Sequence, residues 1–154
     1  MEFQGDSMKI GLICSNGGHL TQLLYLLEAF EGHDIFFVTY ESQRTKALPH
    51  RKYLLDNIGT NPIIMASALL NIARVFLKER PEAIVSTGSE IAIPAFYIAK
   101  LMGIQTIFIE SWSRAATRSG TGKIVYPVSD IFLVQWPDLL LLYGSKAKYV
   151  GAVI

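Results

Sequence analysis

The residues best suited to chemistry form a glycine-histidine turn that follows an apolar run near the start of the chain. The turn reads Ser15-Asn16-Gly17-Gly18-His19, and its first four residues are predicted to bind a ligand. Its adjacent glycines would let the backbone turn with positive φ and approach a ligand closely. A helix that begins here presents free amides to an anion, and His19 on its first turn is able to accept or donate a proton. The alternative is an ordinary tight turn with a solvated histidine.

A second polar loop, Ser86-Thr87-Gly88-Ser89-Glu90, precedes another helical segment. Hydroxyl groups and a glycine at a helix start suit a phosphate or the hydroxyls of a sugar. The sequence therefore predicts Thr87, Gly88, Ser89 and Glu90 as ligand-binding residues. Simple capping of the helix by Thr87 or Ser89 is the alternative.

A third loop places a carboxylate directly after a strand, in Glu110-Ser111-Trp112-Ser113-Arg114. Glu110 could serve as a base or could orient His19. It could also form a structural ion pair with Arg114 or Arg118, and the sequence leaves both interpretations open.

Other chemical motifs are absent. The histidines at 19, 33 and 50 have no metal-ligand spacing, and the single cysteine, Cys14, excludes a cysteine cage and an internal disulfide. We therefore predict no bound metal. The dinucleotide fingerprint is missing, and the segment from Ser119 to Ile124 fails the phosphate-loop pattern. Glu41, near the end of the second predicted strand, keeps a nucleotide-binding alternative open.

The composition predicts one domain. The 154 residues are 51% hydrophobic and 18% charged, which is enough apolar material for a well-filled core. Residues 1–7 precede a second methionine and are expected to be a cloning remnant or a frayed start, which leaves 8–154 as the domain. The net charge of +1 gives no reason to expect nucleic acid. The lone cysteine fits a reducing, cytoplasmic setting, and no apolar run approaches the roughly 18 residues of a spanning helix.

Short apolar runs alternate with helical patterns along the whole chain. Predicted strands are 9–14, 34–39, 62–66, 83–86, 105–109, 131–134 and 149–153. Predicted helices are 18–30, 68–80, 91–102, 114–126 and 138–143. This alternation predicts an α/β fold, a single Rossmann-like domain whose mostly parallel sheet is flanked by helices. Ligands of such sheets bind outside the carboxyl ends of the strands, where the three loops lie.

The helical segment 68–80 is unusually apolar for a surface helix. A membrane-contacting stripe is predicted to consist of Leu69, Ile72, Ala73 and Phe76, extended by Leu70 and Leu77. The flanking cations Arg74, Lys78 and Arg80 suit an anionic leaflet. A second basic cluster at Arg44, Lys46, Arg51 and Lys52 could add to this face. Packing of the stripe against the sheet, or against another protein, is the alternative.

The chain resembles the acceptor-side, membrane-associated subunit of two-part GT-B glycosyltransferases. One branch of this family makes the chitobiosyl lipid of N-glycan synthesis, and another acts in bacterial capsular and exopolysaccharide assembly. The resemblance spans Met8 to Ile154. Its motifs are Ser15 to His19, Ser86 to Ser89, Phe108 to Ser111, Arg114, Ser119, Gly122-Lys123, Ser129-Asp130, Val134 to Pro137 and Tyr149 to Gly151.

This resemblance implies the N-terminal half of a GT-B fold, similar to MurG. The chain would bind a polyprenyl-diphosphate-linked sugar acceptor at the cytoplasmic face of the membrane, as a peripheral protein. A partner resembling the C-terminal half would hold the UDP-sugar donor, and this chain would need no cofactor. His19 matches the candidate base of the fused relatives, and Glu110 matches an acidic residue of less settled role.

The sequence thus predicts a subunit of an inverting glycosyltransferase that works with its partner. Two alternatives remain. One is a non-catalytic scaffold that recruits the transferase partner to the membrane, and the other is a self-sufficient nucleotide-binding enzyme.

Overall fold

The centre of the fold is a parallel sheet with strand order β3-β2-β1-β4-β5-β6-β7. A computed structural model describes residues 5–153, so residues 1–4 of the expected leftover segment, and residue 154, lie outside the described residues. The strands are β1 Lys9–Ile13, β2 Asp34–Tyr40, β3 Lys52–Leu55, β4 Ala83–Ser86, β5 Gln105–Ile109, β6 Ile131–Val134 and β7 Ala147–Tyr149. The predicted single α/β domain with a parallel sheet is confirmed.

Helices cover both faces of this sheet. They are α1 Gly18–Tyr25, α2 Gln43–Lys46, α3 Pro62–Glu79, α4 Ala92–Leu101, α5 Gly120–Val125 and α6 Leu139–Tyr143, with short 3₁₀ turns at Leu27–Phe30 and Tyr126–Val128. One core lies under α3, α4, α5 and α6, and α1 covers a second core on the opposite face. Neighbouring strand residues such as Leu12 and Ile13 point to opposite cores and are both fully buried. This explains why the strands show little polar alternation.

Two of the predicted strands are wrong. Residues 62–66 form the first turns of α3, because Asn61 caps the helix by accepting a hydrogen bond from the Ile63 N–H and Pro62 occupies its first turn. The third strand is instead Lys52–Leu55, within the predicted basic cluster. The last strand starts at Ala147 and ends at Tyr149, before Gly151 turns the chain with φ +117°.

The buried face of α3 corrects the predicted membrane stripe. Ile72 and Phe76 are fully buried and pack in the core, so the prediction of membrane contact is wrong for both. The outward apolar residues are Ile63, Leu70 and Leu77, each seven residues from the next and 80%, 61% and 63% exposed. A spacing of seven keeps them on one face of the helix.

The side chains beside this outward stripe lie at the surface, as the predicted membrane face requires. Leu69 is 38% exposed, and Arg74, Lys78 and Arg80 are exposed. Arg80 also ends α3 in the left-handed conformation, with φ 50°.

The second predicted basic cluster is not a free cationic patch. Arg51 binds Glu79 and Asp34, and the buried Glu79 also accepts a hydrogen bond from Tyr53. Arg44 contacts the first turn of α1, whereas Lys46 pairs with Glu41. Lys52 donates to the Leu48 carbonyl. These cations are held by local partners, so they add little to a membrane-facing charge.

Candidate active site

His19 lies on the first turn of α1, where it is locked to the loop after β4. Its Nδ1 is 2.9 Å from the Thr87 carbonyl oxygen, and the Thr87 hydroxyl donates to the His19 carbonyl at 2.7 Å. Because a carbonyl only accepts, Nδ1 must carry the proton, which leaves the lone pair of a neutral ring on Nε2. Burial lowers the pKa of His19, against the opposing effects of the Thr87 carbonyl, Glu110 and Glu90. The lowered pKa favours the neutral ring, in which Nε2 is the nitrogen able to accept a proton.

The loop after β4 is shaped around this imidazole ring. Gly88 has φ +126°, and a Cβ added there would lie 2.7 Å from His19 Cε1 and 2.9 Å from Nδ1. Only glycine fits both the backbone conformation and this close approach. Ser89 next to it has φ 77°, which is costly for a residue with a side chain. The strain is concentrated where the two loops meet.

The turn before His19 differs from its prediction in one respect. Gly17 is the N-cap of α1 with φ −107°, and Gly18 is helical, so neither uses a positive φ. A Cβ added to either glycine would meet nothing within 4 Å. No side chain caps the helix. Gly17 and Gly18 are exposed, so the uncapped start of α1 is suited to an anion.

Glu110 is a structural hub beneath the cleft. The carboxylate is 1% exposed and accepts hydrogen bonds from the Ser111 N–H, from the N–H and hydroxyl of Ser119, and from the Tyr143 hydroxyl. Ser119 in turn caps α5. Within residues 5–153 Glu110 makes neither a hydrogen bond to His19 nor an ion pair with Arg114 or Arg118. The Thr87 carbonyl orients His19 instead, and Glu110 acts on the ring only through its charge.

Glu90 is held at the other side of the histidine. Its two carboxylate oxygens accept hydrogen bonds from the Tyr40 hydroxyl at 3.0 Å and the Ser89 hydroxyl at 2.6 Å. Burial acts to raise the pKa of Glu90, but these hydrogen bonds and His19 hold it below its usual value. The cap of α4 is Ile91, and no side chain caps the helix, so the capping alternative for Thr87 or Ser89 is wrong.

Two adjoining hollows meet at His19. The first, which we call the polar cleft, has a volume of about 310 Å³. Its lining comprises His19, Gly88, Ser89, Glu90, Ser111, Ser113, Arg114, Ser119, Gly120 and Thr121. The second, the tryptophan cleft, has about 370 Å³. It shares His19, Ser111 and Ser113 and adds Gly18, Thr21, Gln22 and Trp112.

The structure thus brings Gly18, His19, Gly88, Ser89 and Glu90 together. Thr87 is buried behind the histidine. Ser15 and Asn16 are half-buried and line neither cleft.

Sequence reasoning missed the buried amides that shape the tryptophan cleft. The Gln22 side-chain oxygen accepts hydrogen bonds from the Trp112 N–H and from the Gln135 side chain, which also donates to the Glu110 carbonyl. The Trp136 indole donates to the Trp112 carbonyl at 2.7 Å. Gln22 shares the buried face of α1 with Leu20 and Leu23, and a polar residue beside these leucines was the signal that could have revealed this network.

Arg114 supplies a positive charge to the polar cleft. Within residues 5–153, no group of three or more His, Cys, Asp or Glu side chains could hold a metal ion.

Burial raises the pKa of the Cys14 thiol to about 12, so this cysteine is unreactive. Over the same described range, none of the helices has the length and apolar character to cross a membrane.

The fold defines the class of protein: it is one half of a GT-B fold, with His19 and the two clefts at the carboxyl ends of its strands. The structure is similar to that of MurG from Acinetobacter baumannii, with a TM-score of 0.78, 16% identity, and coverage of 92% of this chain and 45% of that chain. It is also similar to UDP-N-acetylglucosamine 2-epimerase from Rickettsia bellii, with a TM-score of 0.76 and 15% identity over 96% of this chain and 46% of that chain. The chain thus spans less than half of these enzymes.

Sequence comparison identifies the family. The model of the family "Oligosaccharide biosynthesis protein Alg14 like" matches residues 41–153. The UDP-N-acetylglucosamine transferase subunit ALG14 of Kluyveromyces lactis is 48% identical, covering 93% of this chain and 77% of that protein. The human protein of the same name is 25% identical, covering 97% and 84%. The chain belongs to the Alg14 family and is a glycosyltransferase subunit, which confirms the resemblance inferred from its motifs.

Proposed function

We propose that this chain is the acceptor-side subunit of an inverting transferase that uses UDP-N-acetylglucosamine and a polyprenyl-diphosphate-linked sugar. The donor is inferred from the names of the relatives, which are UDP-N-acetylglucosamine transferase subunits. The observation that carries the proposal is the neutral His19 at the junction of two clefts, with its Nδ1–H bound by Thr87. The site supplies a base and polar groups on one half of a GT-B fold.

In the proposed reaction His19 Nε2 takes the proton of an acceptor hydroxyl. The hydroxyl oxygen forms a bond to the anomeric carbon of the sugar nucleotide while the bond from that carbon to the UDP oxygen breaks. UDP leaves with the electron pair, and the configuration at the anomeric carbon is inverted. General-base catalysis of this kind contributes about 10²- to 10⁴-fold to the rate.

The anionic part of the acceptor has two partners within reach of this base. The uncapped first turn of α1 offers backbone amides, and Arg114 contributes a guanidinium to the polar cleft. Helix N-termini and arginine side chains both favour phosphate. In this proposal neither metal nor cofactor is held by this chain.

The nucleotide sugar would be bound mainly by a partner that resembles the C-terminal half of a GT-B enzyme. Support comes from the word "subunit" in the names of the relatives. Ligands of parallel sheets bind at the carboxyl ends of strands, so the partner would dock over that edge.

A peripheral location at the cytoplasmic face of the membrane completes the proposal. The exposed stripe of Ile63, Leu70 and Leu77, with Arg74 and Lys78 beside it, has the pattern of a helix that lies at the headgroup boundary. A lipid-linked acceptor would then reach the clefts from the membrane surface.

The test is transfer by the chain reconstituted with its partner subunit, using UDP-N-acetylglucosamine and a synthetic lipid-diphosphate-linked sugar. His19→Gln should lower kcat by at least about 100-fold, because it removes the base without a large change in volume. His50→Gln is the matched control, since His50 is a half-buried histidine that packs on Phe37 away from the clefts. Wild-type turnover by a folded His19→Gln protein would contradict the assignment and favour a recruiting scaffold.

A further inference from the structure

Two opposite charges share the polar cleft without neutralising each other. Glu90 and Arg114 both line it, yet among the ion pairs within residues 5–153 none joins them. The Arg114 side chain donates a long hydrogen bond of 3.4 Å to the Thr117 hydroxyl, and within residues 5–153 it has no other hydrogen bond. Each charge is therefore available to a ligand.

The Glu90 carboxylate is fixed in place rather than free to swing away. Tyr40, whose hydroxyl donates to it, is 2% exposed at the end of β2, and Ser89 is held in the left-handed conformation. Each carboxylate oxygen accepts one hydrogen bond from these partners and keeps capacity for another. A preorganised acceptor of this kind binds hydrogen-bond donors strongly.

A fixed carboxylate and a phosphate repel each other, so the diphosphate cannot lie at the Glu90 end of the cleft. Sugar hydroxyls and the N–H of an acetamido group are donors that a carboxylate accepts. The hydroxyl-bearing residues Ser111, Ser113 and Ser119 line the rest of the cleft and suit the same ligand. We therefore expect a ligand to place its sugar beside Glu90 and its diphosphate beside Arg114, and the charges of both residues act on the pKa of His19.

We infer that Glu90 is a specificity-determining residue that recognises the first sugar of the acceptor, whereas Arg114 binds the diphosphate. This inference rests on the proposed function, because it assumes an acceptor with both parts. It narrows the prediction that Glu90 binds a phosphate or sugar hydroxyls, because it assigns Glu90 to the sugar.

The experiment compares the binding of two probes to the full chain in detergent: phytanyl diphosphate, and phytanyl diphosphate linked to N-acetylglucosamine. The wild-type chain should prefer the sugar-bearing probe. Glu90→Gln should reduce that preference by about tenfold or more, since a charged hydrogen bond is lost, and should bind phytanyl diphosphate equally well or better. Arg114→Gln should weaken the binding of both probes by a similar factor.

Two further variants make the result specific. Glu41→Gln is the matched control, because Glu41 lies at the same edge of the sheet but pairs with Lys46 outside the clefts. Tyr40→Phe keeps the Glu90 charge and removes its anchor, so it should cause a smaller loss of preference and serves if Glu90→Gln does not fold.

The inference is overturned if the wild-type chain shows no preference for the sugar-bearing probe, or if Glu90→Gln weakens both probes equally. Failure of the proposed function would be seen in a different experiment. In that case the reconstituted pair transfers no sugar to any lipid-diphosphate acceptor, whatever preference the binding experiment gives.

Discussion

At the scale of single residues, His19 combines a half-buried ring with a defined tautomer. The Thr87 carbonyl accepts the Nδ1 proton, and burial keeps the ring neutral. In a neutral imidazole whose Nδ1–H is bound by a backbone carbonyl, Nε2 is left to accept a proton. This arrangement has a consequence for the pH dependence of the reaction.

The active form of the proposed base is the deprotonated one, so kcat/KM should fall as the pH drops through the pKa of His19. That pKa is lowered from the usual 6.5, and the acid limb should therefore lie below pH 6.5. The measurement is kcat/KM of the reconstituted pair against pH. The limb should disappear from the residual activity of His19→Gln. A limb above pH 6.5, or one unchanged in that variant, would contradict the role of His19.

Gly88 is the residue whose replacement most directly displaces the base. Gly88→Ala adds a Cβ that would lie 2.7 Å from His19 Cε1, at a φ of +126°. We expect a loss of about 1–3 kcal/mol in the free energy of unfolding from the backbone, and a fall in kcat of about 100-fold because the ring must move.

Gly32→Ala separates these two effects. Gly32 has φ +82°, but a Cβ there meets nothing within 4 Å. It should cost comparable stability by thermal unfolding and leave kcat unchanged. Equal losses of activity in the two variants would show that Gly88 matters only for folding.

At the scale of elements, hydrophobic patterns predicted most of the sheet. The bounds of β4, β5 and β6 agree with the predicted strands, since buried β-branched and aromatic runs between helices leave few alternatives. The prediction failed at residues 62–66, where Ile63 and Ile64 suggested a strand. Asn61-Pro62 was the stronger signal, because it is the start signature of a helix.

The candidate site was predictable only in part, for a related reason. The topological rule places the loops at one edge, so His19 and the loop after β4 could be expected to meet. The partner of each side chain depends on packing over long sequence separations. The sequence leaves open whether Glu110 orients His19 or pairs with an arginine, whereas in the structure it binds Ser119 and Tyr143, a set that no local pattern encodes.

The outward stripe of α3 yields a prediction about membrane binding. Leu70→Glu should lower partitioning to vesicles that contain anionic phosphatidylglycerol by about tenfold or more. A leucine side chain that enters the bilayer contributes about 1.5 kcal/mol or more to binding. The new glutamate would also be repelled by the anionic headgroups. A sedimentation assay measures the bound fraction.

Leu141→Glu is the matched control for this experiment. Leu141 is an even more exposed leucine, at 92%, but it lies on α6 and not on α3. It should leave vesicle binding unchanged. Equal effects of both variants, or none from Leu70→Glu, would remove α3 from the membrane-binding face.

At the scale of the whole molecule, the clefts are open where a second GT-B half would close them. Trp112 is 42% exposed at this edge, although its backbone is held by Gln22 and Trp136 and its ring lies 5.6 Å from that of Trp136. A large aromatic side chain on a rigid backbone is typical of the residues that dominate protein interfaces. Closure by a partner would also exclude water from His19 during transfer.

We therefore expect the partner subunit to cover Trp112. In a Trp136→Phe background, acrylamide quenching of Trp112 fluorescence should fall when a tryptophan-free version of the partner is added without nucleotide sugar. Trp112→Ala should raise the Kd of the pair by about 30-fold, as expected for a residue worth about 2 kcal/mol at an interface. Tyr25→Ala, which truncates an aromatic side chain 62% exposed at the far end of α1, should leave the Kd unchanged. If quenching and Kd are both unaffected at Trp112, the two halves meet elsewhere, and the exposed tryptophan serves the ligand in its cleft alone.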